Sequence, residues 1–464
     1  MSGQNIVVNN KASDLTEYPS GSLRELWKIS FPLMLSTLAV SVMIFLDRIV
    51  LAHYCLDAMN AAATAGTIFF SINFGAIAIS AIAEVFVGQH NGAKRYHLIG
   101  QPVWQMIWFS LFLIIPYFLI GLFGDVWLVP ENLVEHAAPF LRWLFFLGPS
   151  IPLVAALSAF FIARGKVHVV TFTVATGCLV NLCLDLLLVF GVKGFIPPLG
   201  TKGAAIATGM AHIFIASVLF SKFIARQNRE KYKTHLFAFN KKVFTQCLKI
   251  GAPSAIGRIF EISAWAFIMA MLANTTLMHI SMFTIAQTIW ILFCFIHDGL
   301  CKGVTAICSN LIGANSGDQI KKVFFSAMKL LLIISLVMSI PLLGFKSNIV
   351  QNLLPNNLSA EDLLTLQSLA QAGCLWIWLG FSFDGIMWIL AGILTAAGDT
   401  RFIMFMSSIG AWTFGIVPIY IFVIRANGAP LLALILPAGY NLAMALCFLW
   451  RYKSGRWQQA SALA

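Results

Sequence analysis

Apolar stretches of about 20 residues recur along nearly the whole chain, each long enough for an α-helix to cross a hydrocarbon core of about 30 Å. About twelve can be marked, near 27–52, 64–87, 101–123, 138–163, 168–191, 203–225, 248–272, 280–308, 322–345, 366–395, 402–424 and 429–450. A β-barrel would need short alternating strands, whereas these runs are long and continuously apolar, and within lipid a helix satisfies its own backbone. The expected fold class is therefore an all-α integral membrane protein with twelve transmembrane helices. The composition agrees, since only 10% of residues are charged against about 25% in an ordinary soluble domain.

The first 26 residues are polar, with no apolar region ahead of a small-residue cleavage site, so the first helix itself is expected to direct insertion. Nine cysteines, an odd number, lie mostly inside apolar spans (Cys178, Cys183, Cys294) without disulfide or metal-ligand spacing.

A formal net charge of +12 invites a nucleic-acid reading, and its distribution argues against one. With the N-terminus inside, the inner segments hold 21 basic residues, among them Lys11, Lys94, Arg95, Arg164, Lys166, eight between Lys222 and Lys249, Lys321, Lys322 and Arg451. The outer loops hold only Lys193, Lys202, Lys346 and Arg425. This is the positive-inside pattern of a multi-pass protein of the plasma (inner) membrane with both termini cytoplasmic. The partners expected are a lipid bilayer and a small molecule, with no nucleic acid.

The chain also repeats itself. Placing LWKISFPLMLSTL over CLKIGAPSAIGRI aligns Lys28 with Lys249, Ile29 with Ile250 and Pro32 with Pro253 at an offset of 221. The same offset puts Gly92 and Ala93 of VGQHNGAKR on Gly313 and Ala314 of CSNLIGANSGD. A third pair, IARGKVHVV and TAAGDTRFI, follows the fourth and tenth spans at an offset of 233, as an insertion in the second half would produce. Six helices return the chain to the same side, so the two lobes are expected to be parallel repeats related by a pseudo-two-fold axis along the membrane normal. The expected organisation is a cytoplasmic N-terminus (1–26), an N-lobe (27–225), a basic cytoplasmic linker (226–247), a C-lobe (248–451) and a cytoplasmic tail (452–464).

Two lobes flanking a cleft suit alternating access around a midplane site. Sequence patterns for metal-dependent hydrolysis, nucleotide binding or a serine nucleophile (HExxH, the P-loop, GxSxG) are lacking, which argues against an enzyme or an ATP-driven pump. Polar residues inside the spans are then the functional candidates, because an ionised side chain at mid-bilayer costs about 2.5 to 3.5 kcal/mol on insertion scales. Four carboxylates lie well within spans: Asp47, Asp185, Glu261 and Asp384, two in each lobe. Buried acids of this kind carry a proton near neutral pH or bind a hard cation such as Na⁺. Asn181 precedes Asp185 by four residues and shares its helix face. Arg48 is a sequence neighbour of Asp47 but faces elsewhere in a helix, whereas Arg258 and Glu261 at i, i+3 can form a salt bridge. Glu84, His297 and Asp298 read as water-exposed polar ends, and Trp265, Trp290, Trp376, Trp378 and Trp388 as lipid-facing or interfacial packing.

The segment FPLMLSTLAVSVMIFLDRIVLAHY resembles the opening helix of the multidrug and toxic compound extrusion (MATE) transporters, with an early proline and a late aspartate. GQHNGAKR, GKVHVV, GTKGAAIATG, GAPSAIGRIFE, LIGANSGD and AAGDTRFIM resemble further motifs of that family in order, over about residues 24 to 450. The resemblance implies a cation site in the N-lobe at Asp47, Asn181, Asp185 and Thr208, able to hold H⁺ or Na⁺, and C-lobe acids at Glu261 and Asp384 as in the NorM-like branch. It departs from the family at Arg48 and Arg258, which bring charge close to the acids and could modulate them.

The expected function is a cation-coupled antiporter, driven by H⁺ or Na⁺ and otherwise without cofactor, that exports amphipathic and often cationic compounds as a monomer. Two alternatives remain at this point: a lipid-linked-precursor flippase of the same superfamily, whose cavity would need cationic residues, and a non-transporting membrane receptor or structural protein.

Overall fold

The computed structural model describes residues 15–129, 134–353 and 360–459. The first 14 residues of the N-terminal segment, Lys11 among them, and the last five of the tail lie outside the described residues. The described chain contains twelve helices long and apolar enough to cross a membrane. They are α1 Leu23–Tyr54, α2 Leu56–Gly92, α3 Tyr96–Gly124, α4 Val134–Ile162, α5 Val167–Phe190, α6 Gly200–Phe223, α7 Lys241–Ala273, α8 Leu277–Gly313, α9 Gly317–Gly344, α10 Glu361–Ala397, α11 Thr400–Arg425 and α12 Leu432–Lys453. The all-α membrane fold expected from the apolar runs is the fold observed. All nine cysteines are free.

The helix ends differ from the apolar runs where polar caps intervene. Helix α1 starts four residues before the apolar run because Ser22 and Glu25 cap it. The Ser22 hydroxyl accepts the Glu25 N–H at 3.2 Å, and Glu25 Oε2 accepts the Gly21 N–H at 2.6 Å. Helix α7 starts at Lys241, inside the basic stretch, because the Asn240 side chain accepts the Lys242 and Val243 N–H groups at 3.1 and 3.3 Å.

Between α6 and α7 the chain forms a short helix, Arg226–Tyr232, and is held against α3 and α4. Trp104 and Trp108 donate their indole N–H groups to the carbonyls of Thr234 and Phe237, each at 2.8 Å. The buried Arg164 guanidinium lies 3.8 Å from the Phe160 ring centre and 4.2 Å from that of Tyr232. Burial pushes its pKa down to about 10, which leaves it charged at neutral pH and able to make both cation–π contacts.

In the first half α5 packs on α1 and α6, and α4 on α6; in the second α10 packs on α8 and α12, and α7 on α11. The halves meet where α1 and α2 face α8 and α7. Small residues bring the backbones together there. A Cβ on Gly92 would overlap the Asn310 carbonyl oxygen, and one on the repeat-related Gly313 would overlap that of Gln89. Side chains then lock the seam: Asn91 Nδ2 donates to Asn310 Oδ1 at 2.7 Å, Asn310 Nδ2 to the Ala163 carbonyl and Gln89 Nε2 to the Ala396 carbonyl, both at 2.8 Å. Residues 89–92, 310–313 and 396 are among the last residues of α2, α8 and α10, next to the turns that carry the basic residues, so the two halves are packed tightly together at this end.

Candidate functional site

In the first half, three helices bring four polar side chains together. Helix α1 contributes Asp47, α5 contributes Asn181 and Asp185 from one face, and α6 contributes Thr208. All are buried, with Asn181 and Asp185 fully excluded from the surface. Asp47 faces the side chains of Asp185, Asn181 and Thr208. Thr208 alone reaches hydrogen-bonding geometry with it, its hydroxyl lying 3.0 Å from Asp47 Oδ2 and 3.0 Å from the Ala204 carbonyl. Five polar atoms in this pocket have no hydrogen-bond partner: Asp47 Oδ1, both Asp185 oxygens, and the amide oxygen and nitrogen of Asn181.

Such a concentration is costly, because each buried polar group left without a partner loses about 1 to 3 kcal/mol of hydration that nothing restores. Two carboxylates side by side raise the cost further, since both cannot ionise cheaply in a low dielectric. A proton shared between them, or a hard cation taking carboxylate, amide and hydroxyl oxygens, relieves both penalties. The donor set is all oxygen apart from the Asn181 nitrogen, which suits H⁺ or Na⁺ and not a softer metal. His212, one turn beyond Thr208 on α6 and buried, donates from Nδ1 to the Thr208 carbonyl at 2.8 Å. Its i, i+4 spacing from Thr208 was the signal in the sequence that could have found it.

The second half holds a different cluster. Arg258 Nη1 donates to Glu261 Oε2 at 3.1 Å, and the guanidinium lies 4.8 Å from the Trp388 ring centre. Asp384 Oδ2 accepts from His297 Nδ1 at 2.9 Å and from the Trp290 indole N–H at 3.2 Å. The i, i+3 salt bridge expected of Arg258 and Glu261 is present. Arg48, by contrast, is exposed and makes no ion pair with Asp47.

Two readings of the bounding residues change. Glu84 and His297 are not water-exposed ends: they are 6% and 1% exposed. Glu84 is sealed in the seam, where Lys302 and Asp298 are its charged neighbours. Asp298 accepts from Lys302 Nζ at 2.6 Å and, across the seam, from the Thr37 hydroxyl at 2.8 Å. The tryptophans also do more than face lipid. Trp290 holds Asp384, Trp378 donates to the Ser335 carbonyl at 2.8 Å, and Trp265 sits edge-on to Tyr440 with ring centres 5.2 Å apart. Hydropathy could not see these partners because they are distant in sequence and become neighbours only when α8 packs on α10, α9 on α10 and α7 on α12.

The MatE family pattern matches residues 32–187 and 253–421, one stretch in each half. The chain belongs to the MatE family. Its relatives include a probable multidrug resistance protein NorM from Geobacillus kaustophilus (strain HTA426), 24% identical over 347 residues that cover 72% of this chain and 75% of that protein. A probable multidrug resistance protein YoeA from Bacillus subtilis (strain 168) is 24% identical over 394 residues, 82% of each chain. Among solved structures, a MATE transporter in complex with MaL6 superposes with a TM-score of 0.84 at 15% identity, over 97% of this chain and 99% of that one. The eukaryotic MATE transporter AtDTX14 gives 0.79 at 18% identity, over 94% and 96%. This MatE protein is accordingly a multi-pass membrane transporter and not an enzyme.

Proposed function

We propose that this MatE transporter is a cation-coupled antiporter, in which H⁺ or Na⁺ entering through the pocket at Asp47, Asn181, Asp185 and Thr208 drives export of amphipathic, often cationic compounds. The observation that carries the reading is the pocket itself: two carboxylates and an amide, buried and with five polar atoms unpartnered, form a site in which only Asp47 Oδ2 among the carboxylate oxygens has a protein hydrogen-bond donor, a set that suits a bound ion.

The chemistry of coupling follows from the site. With one proton or Na⁺ bound, the two carboxylates carry a single negative charge between them and α1, α5 and α6 can stay packed. Once the ion leaves, the second buried negative charge favours a different arrangement of α1, or the arrival of a cationic compound. A ligand shifts the conformation only by its differential affinity for the two states, so exchange of ion for substrate is the source of direction. The seam through Gly92 and Gly313 is, in this reading, the closed end of the pathway, and ion and substrate enter from the opposite end. In this reading the basic end is cytoplasmic, both termini lie inside a plasma (inner) membrane, and the protein works as a monomer.

The flippase alternative needs unoccupied cationic side chains for pyrophosphate. Arg258 is engaged by Glu261 and Trp388, and nothing else in the cluster favours it.

The test is reconstitution in vesicles with ethidium as the probe and H⁺ and Na⁺ gradients imposed separately. One of the two gradients is expected to drive accumulation in wild type but not in Asp185→Asn, which keeps the side-chain size and removes the titratable charge. Accumulation by Asp185→Asn at the wild-type rate would sink this assignment of the coupling site.

A further inference from the structure

His297 lies on α8, far in sequence from Asp384 on α10, and the two form the most deeply buried titratable pair in the second half. The ring is 1% exposed and tilts against Phe381 with ring centres 4.2 Å apart. Nδ1 carries the hydrogen, because it contacts Asp384 Oδ2 at 2.9 Å and a carboxylate can only accept. The other ring nitrogen, Nε2, is buried without a partner. It faces Gly385, where a Cβ would come within 3.1 Å of it. An orphaned nitrogen beside a carboxylate is a place to put a proton. Protonation at Nε2 turns a buried net charge of −1 into a neutral imidazolium–carboxylate pair, which a low dielectric favours.

We propose that His297 is a proton-carrying residue of this transporter, forming with Asp384 a dyad that takes up one proton when no cationic compound is bound and gives it back when one enters beside Trp290. The inference rests on the antiport reading and adds a titrating group on α8. The step is a simple exchange: an N–H bond forms at Nε2 with a proton from water on the open side, and breaks when the incoming cation takes over the neutralisation of Asp384. The N–H···O bond from Nδ1 persists in both states, so the carboxylate does not move. Trp290 is 39% exposed and donates to the same oxygen, so a single side chain separates the dyad from the molecular surface and offers a ring face to a planar cation.

The surrounding charges leave the dyad as the group with the unbalanced state. On α7, Glu261 is already paired with Arg258. On α8 itself, Asp298 is paired with Lys302, and Cys294 is the nearby thiol. On α12, Tyr440 lies in the field of Glu261 and Asp384. The lysines of α9 are exposed.

The experiment uses full-length protein in nanodiscs with ethidium as the ligand, in wild type and in His297→Asn, whose amide can still donate to Asp384 but does not titrate. For wild type, ethidium affinity is expected to fall with acidification, by at most the one-proton limit of about tenfold per pH unit. With Asp47→Asn and Asp185→Asn present in both proteins, so that the first-half acids do not contribute, adding His297→Asn should hold the affinity within about twofold between pH 8 and pH 6. An unchanged pH dependence in that variant overturns the proposal. Should the variant fold poorly, proton release on adding ethidium to protein carrying both Asp47→Asn and Asp185→Asn, in which the first-half carboxylates cannot contribute, decides instead. Release of a proton there supports the dyad, and its absence overturns it. Failure of the antiport reading is distinct, for it would appear as wild-type vesicles in which neither gradient drives ethidium.

Discussion

Each of the two polar clusters of this transporter is built around a pair of acids within membrane spans, and the two solve the burial problem in opposite ways. In the first half, Asp47 and Asp185 are surrounded by an amide and a hydroxyl, and only Thr208 supplies a hydrogen bond. In the second, Glu261 has Arg258, and Asp384 has His297 and Trp290. One cluster is short of positive charge and donors, and the other brings its own. A site that lacks a counter-charge must take one from solution, which suits an exchangeable small ion. A site with internal partners is held in place by the protein, and a charged ligand there competes with an existing pair. The internal repeat makes the contrast sharper, because the halves share Pro32 and Pro253, and Gly92 and Gly313, yet carry their acids on non-equivalent positions.

The largest effect that would sharpen this comparison is expected from Asp185→Asn. Gradient-driven ethidium accumulation should fall by about 100-fold, within the range of coupling free energies between linked sites, while the inserted amount is unchanged. Asp384→Asn should come next, with efflux reduced about tenfold, and should exceed Glu261→Gln, in which Arg258 already holds the acid as a structural partner. Initial efflux rates normalised to protein in the vesicles provide the check, and the reverse order would break the distinction between a partnered and a held acid.

A smaller effect is expected from Thr208→Val, which removes the one hydrogen bond to Asp47 but leaves both carboxylates. Transport driven by the coupling ion should drop by about fivefold, the equivalent of roughly one hydrogen bond. An increase would mean that the hydroxyl competes with the ion. The seam offers a test independent of chemistry: Gly313→Ala places a methyl group against the Gln89 carbonyl, so the basic end should close less completely. Faster labelling of a cysteine introduced at Asn91 would report it. The smallest effect is expected from Arg48→Ala, less than about twofold on efflux, because surface substitutions away from partners change little. Arg48 stands next to Asp47 in sequence but is exposed, and a large loss would show that the first-half pocket does have a counter-charge.

Much of this could be read before any coordinates. Twelve spans, the repeat and four acids followed from hydropathy, offset matching and the cost of charge in lipid. The positions of Asn181 and Asp185 on one face followed from helical spacing, as did the Arg258–Glu261 pair. Glu84 and His297 were misread as polar ends, because depth along an apolar run says how far a residue is from the run's end and nothing about what covers it.

What the sequence alone determined is thus everything that depends on one helix at a time: which segments cross, which residues share a face, and which acids are too expensive to be accidental. The tertiary structure decided which helices stand side by side. It put Asp47 on Asp185 across α1 and α5, His297 on Asp384 across α8 and α10, and Thr37 on Asp298 across the seam. These pairings lie outside sequence patterns because helix packing is set by the summed shape and dispersion of many small contacts, and a single polar residue carries no record of its partner in its own neighbourhood.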